Sequence, residues 1–158
     1  MRRSVPTMFF LDNKLYKKIK LVKSDDSVVV FDYEEEARVW LPVSAVLKNY
    51  KRAYSLPQVA NLLSVKTGLI KEVIGKHKVG SPVLSYNPKT FAPIKYYVSE
   101  DDLMDIRDAV WELLPKNRYG EPFNDIVPSP DDLRAKLFGY DDRNYVIRDN
   151  EFIQIFSI

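Results

Sequence analysis

The stretch from Ser55 to Pro115 constrains this chain more than any other, because it specifies its own helix ends. Ser55 can act as an N-cap, Pro57 falls in the first turn where its missing N–H is harmless, and Gln58 sits three residues after Ser55, as in a capping box. Leu56, Val59, Ala60, Leu62 and Leu63 then recur at helical spacing. A break at Asn61–Ser64–Val65 precedes a second predicted helix from about Thr67 to Ile74, with Leu69, Ile70, Val73 and Ile74 on one stripe. Gly75 is placed to end it and Gly80 to turn the chain. Pro82, Pro93 and the tip Asn87–Pro88–Lys89 predict a hairpin with arms Val83–Tyr86 and Ile94–Val98. Ser99 then caps a third helix whose first-turn acids Glu100, Asp101 and Asp102 suit the helix dipole. Its expected buried stripe is Leu103, Ile106, Val110, Leu113 and Leu114, and Pro115 stops it.

Charge singles out the same region. Residues 48–95 hold nine Lys/Arg against one acid, Glu72, whereas residues 96–158 hold seven against fourteen and residues 1–47 eight against seven. The overall charge of +2 therefore conceals a middle of +8 and a tail of −7. Such segregation points to a polyanion-facing centre and an acidic C-terminal part. Two short amphipathic helices joined by a few residues, inside the basic segment, form a helix-turn-helix signature.

The flanks read as β-rich. Ile19, Leu21 and Lys23 fit one strand face, Asp25–Asp26 a turn, Val28–Tyr33 a β-branched and aromatic strand, and Arg38–Pro42 a third short strand after the acidic Glu34–Glu36 tip. A small antiparallel meander over residues 8–42, curled in the SH3 manner, is expected to pack on the following module. VSAVLKNY after Pro42 can form about two helical turns. Beyond a turn-rich connector from Pro115 to Pro130, a helix over about Asp131–Phe138 and two strands in NYVIRDNEFIQIFSI are predicted. Trp40 and Trp111 read most simply as core anchors. The expected organisation is residues 1–47 as meander, 48–115 as central module and 116–158 as an acidic helix plus β-hairpin.

The central segment resembles the MerR-like and excisionase family of winged helix-turn-helix domains over residues 53–111. The resemblance rests on Tyr54–Ser55, Val59–Ala60, Leu63, Val65, Leu69–Ile70, Tyr96–Tyr97 and Ser99–Asp102–Leu103, taken in that order. It implies an α+β fold with a winged helix-turn-helix core and a duplex-DNA partner. The chain departs from the family in having Gly68 and Glu72 in the second helix, where an Arg or Trp is usual, and Lys89 and Lys95 in a wing that usually carries Arg.

A recognition helix contacts base edges through side chains near its N-terminus. Lys66, Thr67 and Lys71 occupy the polar face there, and a Lys can donate to guanine while a Thr can read several base edges. Lys76, His77 and Lys78 lead toward the wing and suit phosphates; Lys89 and Lys95 lie in the wing; Lys48, Lys51 and Arg52 precede the first helix and are expected against flanking backbone. The alternative for each lysine is ordinary solvation, and for the single His77 a bystander role.

Other chemistries have little to work with. No cysteine and one histidine leave triads and metal clusters nearly without residues, and the isolated glycines form no phosphate loop. Asp101, Asp102, Asp105 and Asp108 read as helix-start charge on a solvated face. The apolar run Met8–Leu11 is too short for a signal-peptide core, and no segment approaches the roughly 18 apolar residues of a membrane span. The expectation is a soluble, cytoplasmic, non-catalytic protein without a cofactor or a membrane partner. It would bind duplex DNA as a transcriptional regulator or excisionase-like factor, of the kind a phage or mobile element encodes. A homodimer or cooperative array, and a protein partner for the acidic C-terminal region, are also expected. The alternative is a protein-interaction adaptor, for example for RNA polymerase or a phage replication or packaging component. A third reading, single-strand binding by the N-terminal barrel, needs Phe31, Tyr33 or Trp40 exposed on a strand face.

Overall fold

The computed structural model describes residues 4–115 and 127–139, so the expected strands of the last stretch lie outside the described residues. The meander has four strands where three were expected: β1 (Met8–Leu11), β2 (Lys14–Val22), β3 (Ser27–Asp32) and β4 (Ala37–Pro42). The extra strand exists because Asp12 and Asn13 both take positive φ, 52° and 66°, and make a two-residue hairpin turn. Short polar side chains tolerate that left-handed backbone, and the turn's twist matches paired strands. A register shift between Lys18 and Lys20 breaks the anticipated Ile19–Leu21–Lys23 alternation, and Lys23 begins a 3₁₀ turn ending at Asp25.

Helix α1 (Val43–Asn49) follows, buries Val43 and Val46, and returns the chain as β5 (Lys51–Ser55). β5 pairs with β1 through Phe9↔Arg52 and Phe10↔Lys51, then with a later strand through Ala53–Ser55. No strand was anticipated here, since KRAYS lacks the β-branched residues that mark one. The remaining elements are α2 (Leu56–Leu63), α3 (Thr67–Gly75), β6 (Val83–Tyr86), β7 (Pro93–Ser99), α4 (Leu103–Leu113) and α5 (Pro130–Gly139). All described strands form one antiparallel, seven-stranded, curled sheet in the order β4-β3-β2-β1-β5-β7-β6, so the fold is α+β.

Three apolar clusters follow from that order. Val5, Phe9, Tyr16, Val28 and Val30 fill one face of the meander with Val43 and Val46 of α1. Phe10, Leu15, Phe31 and Tyr33 fill the opposite face, against Val83, Tyr86 and Tyr97 of the β6–β7 hairpin. The largest cluster joins Leu63, Ile70, Val73, Val98, Leu103, Ile106 and Val110 with Val127 and Leu133, so α5 packs into the same core as α2, α3 and α4. Each fully buried Leu or Ile there contributes about 1.5–3 kcal/mol.

Two expectations about that core are corrected. Leu113 is exposed, and a buried position of α4 that the apolar stripe does not include is Arg107. Its Nε donates to Pro128 O at 2.9 Å and its guanidinium lies 4.6 Å from the Trp111 ring centroid, which ties the 127–130 segment to α4. Trp111 packs against the core as anticipated, but Trp40 is 59% exposed. Trp40 fails as a core anchor because it shares a strand face with Arg38, and β4 is an edge strand. No helix among the described residues is long and apolar enough to cross a membrane.

Candidate nucleic-acid interface

The start of α2 is held by a reciprocal cap. Gln58 N donates to Ser55 Oγ at 3.4 Å, and Ser55 N donates to the Gln58 side-chain oxygen at 2.8 Å. Ser64 ends α2 in the left-handed region with φ 59°, and Val65 N donates back to Ala60 O at 3.0 Å. This reversal lets α3 begin within three residues of α2. Ile70, Val73 and Ile74 bury one side of α3.

The outer side of α3 is left to solvent. Lys66 at its N-cap and Gly68, Lys71, Glu72 and Gly75 along it are exposed, and Thr67 is half-buried. Lys76, His77 and Lys78 continue the exposed surface past its C-terminus. Glu72 lies 3.8 Å from His77 Nε2, so the acid that breaks the basic run has a cationic partner whenever His77 is protonated.

The path from α3 to the hairpin is pinned at its base. Lys78 and Gly80 take positive φ, 59° and 83°, and Ser81 N donates to the Asp102 carboxylate at 2.9 Å. A Cβ at Gly80 would lie 3.5 Å from that carboxylate, in a backbone conformation that favours glycine. At the tip, Asn87 Oδ1 accepts from the N–H groups of Lys89 and Thr90 at 2.9 and 3.3 Å, which presents Lys89 to solvent. Lys95 is exposed on β7, its backbone bonded to the Ser85 hydroxyl. The inner face of the hairpin is docked on the meander. The Tyr86 ring lies 5.1 Å from that of Tyr33 and 6.0 Å from that of Phe31, and its hydroxyl donates to Tyr33 O at 3.2 Å. Burial pushes the Tyr33, Tyr86 and Tyr97 phenols above their ordinary value; the Glu36 and Asp32 charges add to the shift at Tyr86.

Of the eleven residues singled out by sequence, the structure gathers Lys66, Thr67, Lys71, Lys76, His77 and Lys78 along α3 and its exit. Lys89 and Lys95 sit on the hairpin, and Lys48 is exposed in the last turn of α1. Two are turned to other partners. Lys51 lies 3.5 Å from Asp101, and the Arg52 guanidinium donates to Leu137 O at 3.1 Å, against α5. Their position in β5 explains this: the strand brings Lys51, still exposed, beside the acidic start of α4 and draws the half-buried Arg52 against α5.

Alternation along a strand predicts one of Tyr96 and Tyr97 in the core and the other in solvent, and the structure exposes Tyr96 and packs Tyr97 inward. Sequence reading missed the exposed Phe91 and Ile94 on the same hairpin. Comparison of the chain with family models, with curated proteins and with solved structures finds no match in any of the three.

Proposed function

We propose that the chain binds duplex DNA without catalysis, with α3 as the groove-reading helix and the β6–β7 hairpin as a wing. The observation that carries this reading is the solvent side of α3: Lys66 at its N-cap and Lys71 in its middle are exposed and Thr67 half-buried, while Ile70, Val73 and Ile74 anchor the helix from behind. A helix held from behind by its apolar stripe and presenting donors at its N-terminal end fits the geometry of major-groove contact. Lys76 and Lys78 past its end, and Lys89 at the hairpin tip, suit the flanking phosphates. The biological role that follows is that of a transcriptional regulator or an excisionase-like architectural factor.

The test is binding to random-sequence duplex DNA at two salt concentrations, comparing wild type with Lys66→Ala/Lys71→Ala. Binding should weaken steeply with salt, and the double variant should lower both affinity and the salt slope, by about one unit per phosphate-contacting lysine. Unchanged binding in the variant would move the contact away from α3. Absence of binding by the wild type at low salt would sink the DNA reading. It would promote an adaptor that binds protein, which the exposed Phe91, Ile94 and Tyr96 favour.

A further inference from the structure

The face of the meander that meets the β6–β7 hairpin at Phe31 and Tyr33 also carries, beyond that contact, exposed cations and an exposed indole that the duplex reading does not use. In antiparallel strands, directly paired residues point to the same face. The registers Lys20↔Val29↔Trp40 and Lys17↔Phe31↔Arg38 therefore set two rows side by side on one face of β2, β3 and β4. Val29 and Phe31 are buried at the centre of the rows, while Trp40, Lys20 and Arg38 at their ends are exposed. Residues two apart along a strand are separated by about 7 Å and adjacent strands by about 4.8 Å, so Arg38 lies about 7 Å from Trp40 along β4 and Lys20, across β3, about 10 Å from it, spacings that long side chains and a nucleotide can bridge. The only carboxylate within these three strands, Asp32, points to the opposite face, where Lys14 holds it at 2.8 Å.

We infer that this face binds single-stranded nucleic acid, with an unpaired base stacked on Trp40 and the adjoining phosphates met by Lys20, Arg38 and Lys17. An indole left open to water leaves a large apolar surface unburied, and every nucleobase has a π-face to cover it. Cations on the same face, with no acid among their strand neighbours, match a polyanion and not an apolar protein surface. The acidic turns at either end of the strands, Glu34–Glu36 and Asp25–Asp26, set the direction: the strand of nucleic acid crosses β4, β3 and β2 along the Trp40–Val29–Lys20 row. Because β4 is the sheet edge, nothing in the sheet blocks its exit beyond Trp40.

The experiment titrates the full chain into labelled oligothymidylate and oligouridylate of about 12 nucleotides, and into a duplex, at low salt. Wild type, Trp40→Ala, Trp40→Phe, Lys20→Ala/Arg38→Ala and Lys66→Ala/Lys71→Ala are compared. Trp40→Ala should weaken single-strand binding roughly tenfold or more, and Trp40→Phe should restore most of it. Lys20→Ala/Arg38→Ala should flatten the salt dependence of single-strand binding by about 1.4 units. Duplex binding should be untouched by the Trp40 variants and reduced by Lys66→Ala/Lys71→Ala, which separates this site from the α3 reading. Preference for one oligonucleotide over the other identifies DNA or RNA as the source. Single-strand affinity unchanged by both Trp40→Ala and Lys20→Ala/Arg38→Ala would overturn the inference, as would a wild type that binds neither oligonucleotide. Should Trp40→Ala lower the melting temperature, the Lys20→Ala/Arg38→Ala pair decides alone.

Discussion

The Asp32 carboxylate accepts from Lys14 Nζ at 2.8 Å and from the backbone N–H groups of Glu34 and Glu35 at 3.0 and 3.1 Å. It thereby fixes both the β3–β4 turn and the inner end of β2. Burial by itself pushes its carboxyl up, but the Lys14 hydrogen bond together with the two backbone donors holds it below its ordinary value of 3.8. A carboxyl that titrates lower when folded stabilises the fold fully above its unfolded value, and that stabilisation disappears as pH falls through the folded value. Lys14 is raised above 10.5, chiefly by its hydrogen bond to Asp32, so its contribution is full below that pH and is lost at more alkaline pH. Asp32→Ala leaves two turn N–H groups without their acceptor and should destabilise by about 1–3 kcal/mol. Thermal melts of wild type and variant across pH check this: the gap should be wide near neutrality and close in strong acid. A gap independent of pH would mean the carboxylate's charge does not matter. The sequence shows an Asp after a β-branched run, but nothing in it pairs residue 32 with residue 14.

At the scale of elements, α2 shows how far local chemistry reaches. Ser55, Pro57 and Gln58 anticipate its first turn, and the cap forms in both directions. Ser55→Ala should therefore cost about 1 kcal/mol, seen as a lower melting temperature with the fold retained. Its other end is less favourable, since Ser64 adopts a left-handed backbone at φ 59° that glycine takes without strain. Ser64→Gly should stabilise by up to about 1 kcal/mol, although Gly's greater unfolded-state freedom offsets part of the gain. A drop in melting temperature for Ser64→Gly would show that the hydroxyl has a role the backbone does not reveal. α2, α3, α4 and the hairpin arms were all legible because caps, prolines and 3.6-residue stripes are written within a few residues of where they act. β5 was not, because KRAYS is a strand only by virtue of β1 on one side and β7 on the other.

At the scale of the whole molecule, the hairpin that serves as the proposed wing is also the joint between the meander and the helices. Tyr86 makes that joint with its ring against Phe31 and Tyr33 and its hydroxyl on Tyr33 O. Tyr86→Phe should cost about 1 kcal/mol, and Tyr86→Ala about 3 kcal/mol through lost packing. Hydrogen exchange should report the Tyr86→Ala effect in β6, β7 and β3 together; protection lost in the hairpin alone would show that the two parts are not coupled through this contact. Of the site, the basic content of residues 48–95 and the residues on the outer face of α3 were fixed by spacing along a helix, which is local and therefore readable. Which of those cations already have partners within the chain was not. Lys51 and Arg52 look equivalent to Lys48 in the sequence, yet β5 places them beside Asp101 and Leu137. Trp40 likewise reads as core until the sheet order places β4 at an edge, with Arg38 on the same face. Caps, turns and helical stripes are legible along the chain because their energies depend on neighbours within one or two turns. The sheet order and the exposure of Trp40 emerge only on folding, because pairing partners tens of residues apart are chosen by burial across the whole chain.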